Sequence, residues 1–151
     1  MAARLFLGAS VAWLALALLA LTASAPDSWL SSLVFRLSSY LCHQQPDRTF
    51  HWDGAPWAVC ARCLGLYAAA PSGALLALAS RPRTLDRGGN VLLLCIAGVP
   101  TAVSWLGEHA LGWPMANVVR FAAALPLGAA VAWVVARTLR VQYTLSDARR
   151  G

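Results

Sequence analysis

Apolar residues run along this chain in four long blocks separated by polar or basic stretches. The blocks cover about Leu5 to Ala23, Cys60 to Ala79, Val91 to Leu106 and Val118 to Ala136. Each comes close to the roughly 20 residues that an α-helix needs to cross a bilayer. The pattern predicts an all-α integral membrane protein, a four-helix transmembrane bundle read as a single membrane domain over residues 1–151. The long loop over residues 24–59 has a periodicity of its own. Trp29, Leu30, Leu33, Val34, Leu37 and Leu41 recur at helical spacing, and Ser31, Ser32, Arg36, Ser38 and Ser39 fill the other face. That predicts an amphipathic helix, lying at the membrane surface or folded onto the bundle, which delivers Cys42 to a fixed place. Gln45 to Trp57 holds Pro46, Gly54 and Pro56 and reads as an irregular loop. Pro71, Pro100 and Pro126 fall inside the last three spans and favour kinks. Ala68 to Ala70, Gly73 and Gly128 offer small surfaces for close helix packing.

Composition sharpens the membrane reading. Charged residues make up 12% of the chain and mean hydropathy is +0.60, whereas a soluble domain carries about 25% charged residues. The net charge of +6 comes from arginine alone, since the chain has no lysine. No basic run is interleaved with exposed aromatics, so nucleic acid is set aside. Arginine at the ends of apolar segments instead sets topology and meets anionic head groups of the lipid bilayer. The basic ends are Arg4, the linker from Arg81-Pro82-Arg83 to Arg87, and the tail with Arg137, Arg140, Arg149 and Arg150. The long loop holds only Arg36 and Arg48, offset by Asp27, Asp47 and Asp53. The expected arrangement is a multi-pass cell-membrane protein with both termini cytoplasmic and the long loop outside. Arg4 with Ala23-Ser24-Ala25 also resembles a cleavable signal peptide. The apolar run exceeds the usual h-region and Pro26 would follow the cut, which favours a retained helix. The loop is outside in either case.

The loop concentrates the candidate chemistry. Cys42-His43-Gln44, Arg48-Thr49-Phe50-His51 and Cys60-Ala61-Arg62-Cys63 bring three of the four cysteines and two of the three histidines within 22 residues. Cys60 and Cys63 are three apart at a predicted helix start, so both sulfurs share one face, and the helix N-terminus with Arg62 favours thiolate. Cys42 would supply a third sulfur, and His43 or His51 a fourth ligand. Three Cys and one His is a tetrahedral zinc set, and with both histidines off the metal an open position could activate water. An outer Cys pair could equally be a disulfide, although three outer cysteines leave one over. Cys95 reads as a small core residue. Arg62 and Arg120 lie in the first turns of predicted spans, where snorkelling to the interface competes with a functional role. Asn117 and Arg120 share a face, and Glu108 and His109 in the short outer loop could roof the cluster. Two such arginines suit a phosphate or carboxylate head group. Tyr67, one turn below Cys63, continues that face, where an aromatic usually packs.

At these residues the chain resembles an uncharacterised family of prokaryotic membrane proteins, that of domain of unknown function 2085. The family pattern is Cys-His-Gln, then Arg-Ser-Phe, then Cys-x-Arg-Cys-x-Gly-x-Tyr-x-Gly, and later Asn-x-x-Arg. It is met by Cys42, His43, Gln44, Arg48, Phe50, Cys60, Arg62, Cys63, Gly65, Tyr67, Asn117 and Arg120. Thr49 replaces Ser, Ala69 replaces the last Gly, and Ser104 is the nearest match to an acidic residue late in the third span. The resemblance implies a membrane protein with a Cys/His motif and carries no established activity.

Three functions remain open on the sequence. The first is an outward-facing zinc site on Cys42, Cys60 and Cys63 with His43 or His51. It is structural, or acts on an anionic lipid-like substrate bound by Arg62, Arg120, Asn117, Arg48, Gln44 and Tyr67. The second is a membrane thiol–disulfide oxidoreductase using the CxxC. The third is a non-enzymatic scaffold subunit. Transport lacks support, because four short spans offer no pathway unless the chain forms a homo-oligomer.

Overall fold

The computed structural model describes residues 1–22, 29–80 and 87–148. Ala23-Ser24-Ala25, Pro26, Asp27, Arg81-Pro82-Arg83, Arg149 and Arg150 lie outside the described residues. Four helices are long and apolar enough to cross a membrane: α1 (Ala2–Thr22), α3 (Ala61–Ala79), α4 (Arg87–Ala110) and α5 (Asn117–Ala148). A shorter helix, α2 (Trp29–Ser39), precedes the cysteine-bearing loop. All three internal prolines sit within unbroken helical segments. The 32 residues of α5 reach about 48 Å, longer than a hydrocarbon core of about 30 Å.

The bundle is organised around the seam between α3 and α5, with α4 laid on α5 and α1 on α3 and α5. That seam is closed by glycine rather than by large side chains. A Cβ on Gly65 would fall on the Phe121 carbonyl oxygen, one on Gly73 on that of Ala129, and one on Gly128 on that of Leu66. Backbones can approach this closely only where no Cβ intervenes. Ala69 is buried between Gly65 and Gly73 in sequence, so alanine at that position is compatible with tight packing. Trp13 of α1 meets Tyr67 of α3 edge to face at 5.8 Å.

Helix α2 matches the sequence expectation and gains a defined buried face, whereas Cys95 and the loop after Cys42 differ from it. Helix α2 buries Ser31, Val34 and Ser38 and leaves Trp29, Leu33 and Leu37 exposed. The small serines let α2 sit close to the protein, and the large apolar side chains are left for lipid, which is the cheaper solvent for them. Cys95 is exposed on α4, correcting the core assignment, because a residue in an apolar span can face the bilayer as readily as the bundle. The loop after Cys42 is also more regular than expected. It forms a single 3₁₀ turn, Pro46–Arg48, and a hairpin of β1 (His51–Trp52) and β2 (Ala55–Pro56). Asp53 and Gly54 turn the hairpin with φ of 49° and 79°, the left-handed pair that an Asp-Gly sequence favours.

Candidate metal and anion centre

Cys42, Cys60 and Cys63 converge, with their sulfurs all within 4.8 Å of one another. Each arrives by a separate local device. The backbone N–H groups of Leu41 and Cys42 both donate to the Ser38 carbonyl, closing the end of α2. Cys60 is the N-cap of α3, and Cys63 stands three residues on, on the same face. The Cys42 sulfur accepts backbone hydrogen bonds from Cys60 at 3.2 Å and from Gln44 at 3.5 Å. Hydrogen bonds from the Cys60 and Cys63 thiols, joined by these two backbone donors, hold the Cys42 thiol well below the ordinary thiol range, and burial opposes them. The same contact with Cys42 pushes the Cys60 thiol up.

The Cys-His-Gln and Arg-Thr-Phe segments have distinct structural tasks. Gln44 takes a left-handed backbone conformation, φ 49°. Its side-chain amide donates to the carbonyls of Phe35 and Ala58, both at 2.8 Å, which ties α2 to the segment entering α3. Thr49 is fully buried; its hydroxyl donates to the Gln45 carbonyl, and its own carbonyl accepts from the Asn117 amide. Phe50 packs against Trp57 and Phe121. His43 and His51 are both exposed, and the group of sulfurs at ligand distance contains neither. His43 lines the adjoining cavity, whereas His51 belongs to the hairpin.

Beside the thiols lies an ion cluster centred on Glu108. Its carboxylate accepts from Arg62 at 2.8 Å and from Arg120 at 2.8 Å, and pairs with Arg48 at 3.2 Å. Arg120 also donates to the Asn117 side-chain oxygen at 2.6 Å. Arg62 and Arg120 thus both turn to one carboxylate. Helix α4 is about a turn longer than its apolar run suggests, so Glu108 and His109 belong to its last turn and not to a loop. Glu108, rather than Ser104, supplies the acidic group late in that span. Its place in the helix was hidden because hydropathy ends the span too early, although Glu108 lies one turn beyond Ser104. The ring of His109 stacks on Trp105 and contacts Arg48 at 3.3 Å.

Three thiols and three guanidinium groups share one open cavity of about 320 Å³. Its wall includes Cys42, Cys60, Cys63, Arg48, Arg62 and Arg120, together with His43, Gln45, Leu41 and Trp105. Leu41, Gln45 and Trp105 had no motif to mark them in the sequence. Gln44, Asn117 and Tyr67 stand behind the wall. Tyr67 packs with Cys42, Val59 and Leu64.

Residues 42–134 match the model of a family described as "predicted membrane protein (DUF2085)". A stretch of 93 residues is 32% identical to an uncharacterised protein of Methanothermobacter thermautotrophicus, covering 62% of this chain and 82% of that protein. Over 79 residues the chain is 37% identical to an uncharacterised protein of Methanocaldococcus jannaschii, covering 50% of this chain and 48% of that one. The chain thus spans about half the length of the second relative. No solved structure matches.

Proposed function

This chain belongs to the DUF2085 family of predicted membrane proteins, and from that premise we propose that its three-thiol centre holds zinc and that the adjoining cavity takes an anionic, lipid-like substrate. The observation that carries this reading is the convergence of three sulfurs and three arginines on one cavity. Zinc–sulfur bonds of about 2.3 Å in tetrahedral geometry put sulfurs about 3.8 Å apart, which falls inside the 4.8 Å that encloses the three sulfurs here. Backbone N–H donors at the Cys42 sulfur are the outer-shell partners that a thiolate ligand requires. Three protein ligands leave a fourth position, for which His43 on the cavity wall or His51 is the claimant, and either could instead serve as acid/base. A metal in this position supplies Lewis-acid chemistry or an activated water.

Arg48, Arg62 and Arg120 all line the cavity, gathered on Glu108, with Asp47 a further carboxylate 3.8 Å from Arg48. Arg62 Nε is buried without an acceptor among the described residues, a donor that an entering phosphate or carboxylate would satisfy. Leu41 and Trp105, both exposed, give the same cavity an apolar edge. With Leu37 and Leu33 they extend that edge along α2, which favours a substrate with a hydrocarbon tail.

The test is elemental analysis of the detergent-purified protein beside Cys60→Ser. Near-stoichiometric zinc in the wild type, lost in the variant, is expected. Absence of metal, with two thiols protected until reductant is added, would overturn the zinc reading in favour of thiol–disulfide exchange.

The same proposal sets the centre on the outer face of the cell membrane and both termini in the cytoplasm, from the arginines at the opposite ends of the helices. A C-terminal alkaline phosphatase fusion is therefore expected to be inactive and a C-terminal green fluorescent protein fusion bright. The opposite pattern would reverse the sidedness.

A further inference from the structure

Three sulfurs make a metal centre only where the gaps between them are fixed. Cys60 and Cys63 stand on one helical turn, which sets their spacing. Cys42 stands 18 residues before Cys60 and beyond the end of α2, so no helix sets its distance from the pair. We propose, resting on the zinc reading above, that Gln44 sets it and is the positioning residue of the metal centre.

Gln44 spans the gap with its side chain. The amide nitrogen donates to the Phe35 carbonyl on α2 and to the Ala58 carbonyl, two residues before Cys60, each at 2.8 Å. Both amide hydrogens are thereby used. One nitrogen bonded to both carbonyl oxygens keeps those oxygens no more than two hydrogen-bond lengths apart. One of the two backbones leads to Cys42 and the other to Cys60. The backbone N–H of the same residue donates to the Cys42 sulfur at 3.5 Å. Gln44 therefore touches the frame on both sides of the gap and a ligand atom as well.

The backbone points the same way. Gln44 has φ 49°, in the left-handed region that side-chain-bearing residues avoid. Such a conformation persists where the surroundings over-determine it. Glycine would enter this region freely but would bring no amide. The other contacts across the gap are less directional. Val34 packs with Ala58, and Cys42 with Val59, but apolar packing does not fix direction. The bond from the Cys60 N–H to the Cys42 sulfur orients the ligand without reaching α2. Metal–ligand distances hold within about 0.2 Å, so a gap closed by packing alone would leave Cys42 off the ion.

The experiment titrates the metal-stripped full chain in detergent with Co2+, reading the sulfur-to-cobalt charge-transfer absorbance. Gln44→Glu keeps the length of the side chain and removes both donors. Gln44→Gly removes the amide and relaxes the backbone, which guards against misfolding of the charged variant. Thr101→Val deletes a hydroxyl bonded at 2.8 Å to the Ala123 carbonyl between α4 and α5, and so controls for losing such a bond elsewhere. Both Gln44 variants are expected to bind cobalt about 10–100-fold more weakly, the effect of losing an outer-shell partner. The absorbance per bound cobalt should fall by about a third as Cys42, one sulfur of three, leaves the ion. Thr101→Val should match the wild type in both. Wild-type affinity and absorbance in Gln44→Gly, or an equal loss in Thr101→Val, would overturn the role of Gln44 and leave the metal centre standing. A wild-type protein with no charge-transfer band would overturn the zinc reading itself, and the role of Gln44 with it.

Discussion

Glu108→Gln is expected to cost about 3 kcal/mol of stability, the range for breaking a buried ion pair by removing one partner. The substitution keeps the shape of the side chain and removes only its charge. Three guanidinium groups, from the loop, α3 and α5, would then surround a neutral amide. Glu108 is only 10% exposed, so water cannot replace the lost charge. In a chain of this size 3 kcal/mol corresponds to a fall of about 10 °C in melting temperature, which thermal unfolding in detergent would read directly. The cause is separable from a general loss of packing. Adding Arg48→Gln to Glu108→Gln removes one of the stranded cations, the most exposed of the three at 30%. The double variant should therefore recover part of the loss. A double variant no more stable than Glu108→Gln alone would show that the carboxylate acts through its shape and not its charge.

Gly73→Ala is expected to be at least as damaging, although it adds a single methyl group. The new Cβ would land on the Ala129 carbonyl oxygen, which belongs to backbone and cannot rotate away. Overpacking typically costs about 1–3 kcal/mol where side chains can adjust. Here two helices must separate along their main seam, so the upper end or beyond is expected, with little monodisperse protein surviving extraction. Gly98→Ala provides the contrast. Its added carbon would find only the Leu127 side chain at 3.8 Å, an ordinary contact. Alanine also gains up to about 1 kcal/mol of helix propensity over glycine, so this variant should be neutral or slightly more stable. Equal behaviour of the two variants would remove the seam from the account.

The sequence made some of this legible and hid the rest for identifiable reasons. The four spans were readable because hydropathy depends only on local composition. The three cysteines were readable as a group because chain proximity and helical spacing already bring them near one another. The Asn117–Arg120 pair was readable from the same spacing. Glu108 was readable as a neighbour of the cluster but not as the hub of its arginines, since Arg62 and Arg48 are distant in sequence and no local pattern pairs an acid with remote arginines. Gln44 looked like a substrate ligand, but its amide bonds to two backbone carbonyls, a role that depends on how the loop closes. The orientation of α2 was ambiguous for another reason. Amphipathicity tells which face differs, but near a bilayer it does not tell which face meets protein. Cys95 was misread on the same ground.

The hub at Glu108 also bears on the order in which the protein is made. A ribosome delivers Cys42, Cys60 and Cys63 to the membrane before it has polymerised Glu108, Asn117 or Arg120. About 45 residues separate Cys63 from Glu108, roughly 2–9 s of synthesis at about 5–20 residues per second. During that interval the loop has neither the carboxylate that gathers Arg48 and Arg62 nor the Asn117 amide that fastens Thr49. The thiols are thus presented by a nascent chain whose charge lock is still being translated, and the arginine wall of the centre can be completed only after the last two helices have inserted.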